Sequence, residues 1–267
     1  MRRAALAGAL LLLVAGCGGS AHGPSAPHPR PTTPIAETPV QPSGPGPGPF
    51  GAQLLKPVRL HARPGGRVLA RLATKTSFGS AQILAVARRR HGWLAVHTPL
   101  LPNGQVGWIR EDSRVRLLHE PWTLEVDLSR RRLIAHDGKR RAFTIPVAIG
   151  APGTPTPTGR FGVTDRLRMS GTTYGCCALA LSGNQPNIPQ GWGGGTRIAI
   201  HGTTATGSIG TPASHGCIRA SADGMRRLMD VVPLGATVRI HARRERDSPV
   251  CVRARGRPRP SARTVCA

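Results

Sequence analysis

The 267-residue sequence predicts a mostly β protein made of two folded units, with a single short helix. Three observations lead there. Apolar residues recur in short alternating or continuous runs, the pattern of half-buried and buried strands. Turn-formers punctuate those runs, with 34 glycines and 26 prolines against 4 Phe, 4 Trp and 1 Tyr, which disfavours a helical bundle. Only one stretch, near residue 225, has helical spacing. The length allows one or two domains with a sizeable core.

The N-terminus reads as an address. Met1-Arg2-Arg3 is a basic start, and the apolar run from Ala4 to Ala15 is shorter than the ~20 residues that span a bilayer. It reads as a secretory signal. The run closes in Val14-Ala15-Gly16-Cys17, which resembles a bacterial lipobox with Cys17 as the lipidated residue. Residues 1–17 are therefore expected to export the chain and anchor it by acyl chains to the outer face of the cytoplasmic membrane. An ordinary signal peptide with an incidental cysteine is the simpler alternative. Residues 18–50 are rich in Pro, Gly, Ser, Thr and Ala and cannot bury enough surface to fold, so they are expected to form a disordered, semi-stiff linker.

A first folded unit is expected over residues 51–118. Val58 to Ala62, Val68 to Leu72, Gln82 to Val86, Trp93 to Val96 and Gly107-Trp108-Ile109 read as strands, separated by Pro64-Gly-Gly66 and Pro102-Asn-Gly104. They make a small barrel or meander. Val58-Arg-Leu-His-Ala-Arg-Pro64 and Gly107-Trp-Ile109 resemble a bacterial SH3-like domain. Trp93 and Trp108 could line a groove, but in so small a unit they are expected in the core.

The second unit is expected over residues 121–241. Trp122 to Leu128 and Arg132 to Ala135 alternate as strands, and His136-Asp137-Gly138-Lys139 carries an Asp-Gly turn before the strand Ala142 to Ile149. Thr154 to Gly159 holds alternating prolines, a plain connector or a loop facing substrate. Phe161 to Thr164 and Ala178 to Leu181 resume the sheet. Adjacent Cys176 and Cys177 are not expected to bond each other easily, and no paired Cys or His spacing suggests a metal. Near the end, Met225, Leu228, Met229 and Val232 mark one face of a short helix capped by Ser221 and ended by Pro233. Thr237 to Ile240 returns as a strand.

The chemistry concentrates in Ile198-Ala-Ile-His201-Gly and Ala213-Ser-His-Gly-Cys217-Ile-Arg219. His201 ends a buried-strand pattern, and Cys217 sits in a tight Gly-containing segment. A thiol becomes a strong nucleophile when a neighbouring imidazole takes its proton, and backbone N–H groups can then hold an acyl oxyanion. A lone cysteine is commonly a small core residue, so composition alone does not decide. The ordered set does: His201-Gly-Thr, Ser214-His215-Gly216-Cys217-Ile218-Arg219, Thr154 to Phe161 and Val232 to Ile240 together resemble the L,D-transpeptidase (YkuD-type) catalytic domain, over residues 122–241.

That resemblance implies a β-sandwich catalytic domain acting on peptidoglycan stem peptides. It implies Cys217 as nucleophile and His201 as base, with the Gly202 carbonyl orienting the imidazole. Ser214, His215 and Gly216 would shape the oxyanion site, and Tyr174 and Arg219 would bind substrate. Cys217 would attack the L-centre-to-D-Ala bond of a tetrapeptide and hand the acyl group to a neighbouring amine, a 3→3 cross-link, without cofactor or metal. Hydrolysis of the same bond, or wall binding without catalysis, are the rivals. The net charge of +25 fits anionic wall polymers and the membrane surface, while no nucleic-acid module is present. The Arg-rich tail, residues 242–267, reads as a basic extension in which Cys251 and Cys266 are expected to pair.

Overall fold

The computed structural model describes residues 49–169, 173–188 and 195–243, with one short strand, β1 (Thr33–Pro34), before them. Cys17, the rest of the linker, Cys251, Cys266 and the tail from residue 244 lie outside the described residues.

The first unit is a seven-stranded antiparallel sheet. Its strands are β2 (Phe50–Leu54), β3 (Val58–His61), β4 (Val68–Leu72), β5 (Ile83–Arg90), β6 (Trp93–Val96), β7 (Gly107–Arg110) and β8 (Val115–His119), in the order β4-β3-β7-β6-β5-β2-β8. Alternation places Val58, Leu60, Leu94, Val96 and Ile109 inward, with Ala52, Leu54 and Leu84 from the neighbouring strands. The two tryptophans depart from expectation. Both are half-buried on the outside, Arg110 over the Trp93 ring at 5.5 Å and Arg88 over Trp108 at 5.8 Å. The interior is filled by aliphatic side chains, and the amphipathic indoles find cations at the surface instead.

The second unit is a sheet that closes on itself. Its strands are β9 (Trp122–Asp127), β10 (Arg132–Asp137), β11 (Arg140–Gly150), β12 (Gly159–Arg168), β13 (Cys177–Asn184), β14 (Arg197–Gly202), β15 (Pro212–Ser214), β16 (Ile218–Ala220) and β17 (Thr237–His241). The path β12-β13-β14-β16-β11-β10-β9-β17 returns to β12, because Arg160 pairs with Arg239 and Phe161 with Val238. Closure removes the open edges a sheet would otherwise present. β1 adds to β12 beside Arg168 and Leu167, and β15 pairs with β11. The Asp137-Gly138 hairpin forms with Gly138 at φ +58°. Helix α1 (Ala222–Val231) starts at Ser221, whose hydroxyl accepts the Gly224 N–H at 3.1 Å, and buries Met225, Leu228 and Met229. Among the described residues the mostly β class with one α-helix is as the sequence predicts.

The two units share packing. Ile83 and Leu118 of the first belong to the same apolar cluster as Phe161, Val163 and Leu234 of the second. A Cβ on Gly162 would stand 2.7 Å from that of Ala85, so β12 and β5 approach as closely as glycine permits. Between β4 and β5, Thr76 donates to Asp165, and Phe78 lies under Arg197 at 5.2 Å. Asp165 is fully buried and paired with Arg197 at 2.7 Å.

Candidate active site

Parallel strands β14 and β16 pair Ile200 with Ile218 and His201 with Arg219. That register sets His201 near the C-terminal end of one strand and Cys217 just before the start of its neighbour. The Ala199 backbone N–H is directed at the Cys217 sulfur. Cys217 is half-buried and is the free cysteine among the described residues.

The His201 ring is 2% exposed, and its Nδ1–H donates to the Gly202 carbonyl at 2.6 Å. A neutral ring held this way carries its proton on Nδ1 and leaves Nε2 as the basic nitrogen. Burial pushes the His201 pKa down to about 4; the Gly202 carbonyl opposes the shift and the Arg219 charge adds to it. Burial pushes the Cys217 thiol up to about 11, against the Ala199 N–H and Arg219, which favour the thiolate. At neutral pH the pair is therefore thiol and neutral imidazole.

Ser214 sets the turn between β15 and β16. Its hydroxyl accepts the Gly216 N–H at 3.1 Å and donates to the Cys217 carbonyl at 2.5 Å. Gly216 takes φ +110°, and a Cβ there would stand 2.7 Å from Gln185 Cγ. The Ser214 carbonyl in turn accepts from the Ala151 N–H at 2.8 Å and the Thr154 hydroxyl at 3.1 Å. Gln185 closes the circuit by donating to the Pro155 carbonyl at 2.5 Å. The proline loop is thus tied to the Cys217 turn. Gln185, 6% exposed, was not singled out from the sequence, since a glutamine in a Gly/Pro-rich stretch carries no pattern.

Tyr174 and Arg219 complete the group. The Tyr174 ring meets the His201 ring edge-on at 4.8 Å, and burial with the nearby Cys217 raises its hydroxyl pKa to about 12. The Arg219 charge reaches His201, Cys217 and Tyr174 together, and its Nε is buried with no hydrogen-bond partner. His215 is exposed. Expected Ser214, Gly202, Gly216, Tyr174, Arg219, His201 and Cys217 therefore cluster, while His215 projects outward.

Cys176 and Cys177 are joined by a disulfide, contrary to expectation. In a regular strand neighbouring side chains point to opposite faces. Gly175, at φ +61°, breaks that alternation immediately before β13 begins at Cys177. The same turn lies so close to the His201 strand that a Cβ on Gly175 would stand 2.9 Å from Gly202 Cα. Among the described residues no group of three or more His, Cys, Asp or Glu side chains is arranged to hold a metal ion.

Residues 121–240 match the family profile of the L,D-transpeptidase catalytic domain, YkuD. The match covers just under half of the chain. A Bacillus subtilis protein named as the L,D-transpeptidase YkuD is 34% identical over 121 residues, 45% of this chain and 66% of the relative. The match thus spans just under two thirds of that protein's length. The L,D-transpeptidase ErfK/SrfK of Salmonella typhimurium is 30% identical over 118 residues, 39% of this chain and 38% of the relative. Among solved structures, L,D-transpeptidase 3 from Mycobacterium tuberculosis, in complex with a faropenem-derived adduct, is 18% identical. It aligns over 51% of this chain and 73% of its own, with a TM-score of 0.38.

Proposed function

We propose that this protein is a peptidoglycan L,D-transpeptidase that works through a Cys217 thioester. The observation that carries the reading is the register of β14 and β16, which sets Cys217 level with Ala199, two residues before His201, with the imidazole held by Gly202 in the tautomer that leaves Nε2 basic. In the first half-reaction His201 Nε2 takes the Cys217 proton as sulfur attacks the carbonyl before D-Ala in a tetrapeptide stem. The Cys217 N–H donates to the resulting oxyanion. The Gly216 N–H is already committed to Ser214, so its part is to hold the turn. Arg219, with an orphan Nε beside the thiol, supplies positive charge for the oxyanion or a stem carboxylate. Collapse breaks the C–N bond, the imidazolium protonates the departing D-Ala amine, and the thioester remains.

In the second half-reaction the side-chain amine of a neighbouring stem attacks that thioester. It gives a proton to His201 and releases the thiol, completing a 3→3 link. Tyr174, protonated and packed on His201, walls the acyl pocket. No resident cofactor enters these steps. The lipobox at Cys17 supports export and anchoring outside the membrane, where the wall lies.

The test is mass analysis of disaccharide-tetrapeptide after incubation with the protein. Cross-linked dimer with released D-Ala is expected, and Cys217→Ala abolishes both. Tripeptide alone would assign hydrolysis instead. A Cys217→Ala protein that still processes tetrapeptide overturns the mechanism. Carbapenem treatment provides a second readout, an adduct mapped to the Cys217 peptide.

A further inference from the structure

We propose that the cleft between the two units is a binding site for a phosphate oxyanion, free or within a phosphodiester chain. The cleft encloses about 500 Å³, within the range of ligand sites, and both units line it. His97 and His119 come from the first; Arg160, Arg239 and Lys139 come from the second.

Its floor is built against electrostatic preference. Arg160 on β12 and Arg239 on β17 stand directly opposite each other across an antiparallel pair, which puts both guanidinium groups on one face. Like charges so placed repel. Both residues are exposed, and neither is ion-paired within the described residues. Glu125 on β9, in register with Arg239, also lines the cleft and gives its carboxylate oxygens to His136, another lining residue, at 3.2 Å and to His241 at 3.0 Å. The nearest acid is thus engaged by imidazoles.

The walls add donors. His97 is 7% exposed, and burial, with the Arg160 charge adding to it, holds its pKa below the ordinary value. His97 is therefore neutral there, able to donate one N–H without adding to the repulsion. His119 lies half-buried at the junction and Lys139 on the Gly138 turn. Two forks, an ammonium and two imidazoles are more donors than one carboxylate can accept. They suit the several oxygens of phosphate.

Opposed arginines alone do not make a site. Arg59 and Arg71 face each other in the same way between β3 and β4, but they do not line this cleft. What distinguishes Arg160 and Arg239 is the roof supplied by the first unit. The site stands on β12, β17 and β9, away from the β14 and β16 ends that carry His201 and Cys217, so it is independent of the transpeptidase reading.

The experiment is calorimetric titration of the full chain with inorganic phosphate and with a short glycerol-phosphate oligomer, at low and at physiological salt. Arg160→Ala/Arg239→Ala is expected to weaken binding by at least about tenfold, the loss of one charge-assisted contact or more. Arg59→Ala/Arg71→Ala, which removes equal charge, is expected to stay within about twofold, since its arginines touch no ligand in the cleft. Tighter binding of the oligomer than of phosphate would identify a phosphodiester chain as the ligand; equal binding would identify the free anion. Imidazole NMR of the unsubstituted chain keeps the test independent of variant folding, with phosphate shifting His97 and His119. No binding by the full chain, equal losses in the two double variants, or unmoved His97 and His119 resonances would each overturn the proposal.

Discussion

The proposed catalytic pair, His201 and Cys217, is neutral in its resting form, which sets the pH behaviour expected of it. With His201 depressed to about 4 and Cys217 raised to about 11, thiol and neutral imidazole coexist across the whole neutral range. The kcat/KM profile is expected to be flat from about pH 5 to 8 and to fall about tenfold per unit below 4, as Nε2 is protonated. An acid limb near 6.5 would show that the imidazole is not held neutral by burial. The same shift bears on stability. Folded His201 resists protonation that the unfolded chain accepts at its ordinary value, so the contribution is complete above pH 6.5 and is lost as pH falls toward 4. It amounts to about 3 kcal/mol, checked by acid melts of the protein against His201→Gln. Gly216 adds a steric prediction. Gly216→Ala places a Cβ against Gln185 at a backbone angle side chains avoid, at a cost of about 1–2 kcal/mol for the conformation alone. Turnover is expected to fall more than substrate binding, because the Cys217 turn moves. A variant with unchanged kcat would show that the turn tolerates the shift.

At the scale of elements, what the sequence made legible was what short-range chemistry determines. Alternation found β3, β6, β9 and β17, the Asp137-Gly138 pair found its hairpin, and the Ser221 cap with the Met225 stripe found α1. Ser221→Ala is expected to cost about 1 kcal/mol, read as a lowered urea midpoint with unchanged slope, and an unaltered midpoint would mean that the cap is redundant. The resemblance placed His201 and Cys217, yet the contacts that hold them were not legible. Gln185 comes from a Gly/Pro-rich stretch without periodicity, and its bond to Pro155 joins residues far apart in the chain. β15 and β16 are 3 residues each, too short to show a period, and exist because β11 and β14 offer edges. The Cys176–Cys177 disulfide hid for a similar reason, since the strand rule that separates neighbouring side chains fails at the Gly175 turn. Alkylation under denaturing conditions, followed by mapping, is expected to label Cys217 directly and the 176–177 peptide only after reduction. Labelling of that peptide without reduction would remove the disulfide.

The whole molecule is organised by the contact between its units. Sequence patterning separates them at the Glu120-Pro121 link but says nothing of how firmly they join. Three features make the junction a core rather than a meeting of surfaces. Ile83 and Leu118 enter the apolar cluster of the second unit; Gly162 and Ala85 leave no room for another methyl group; and Thr76 donates to the buried Asp165–Arg197 pair, over which Phe78 also lies. Asp165 needs that company, because a buried carboxylate deprived of its partners destabilises by several kcal/mol. The two units are therefore expected to unfold together. Indole fluorescence, which reports Trp93 and Trp108 of the first unit as well as Trp122 of the second, should give the same midpoint as far-UV circular dichroism, with equal calorimetric and van't Hoff enthalpies. Gly162→Val then becomes diagnostic. Its added bulk meets Ala85, with an overpacking cost of about 1–3 kcal/mol. If the junction is a shared core, the variant lowers one common transition. Two separated transitions in the unsubstituted protein, or a Gly162→Val variant in which the second unit alone melts earlier, would show that the units are stable independently and merely touch.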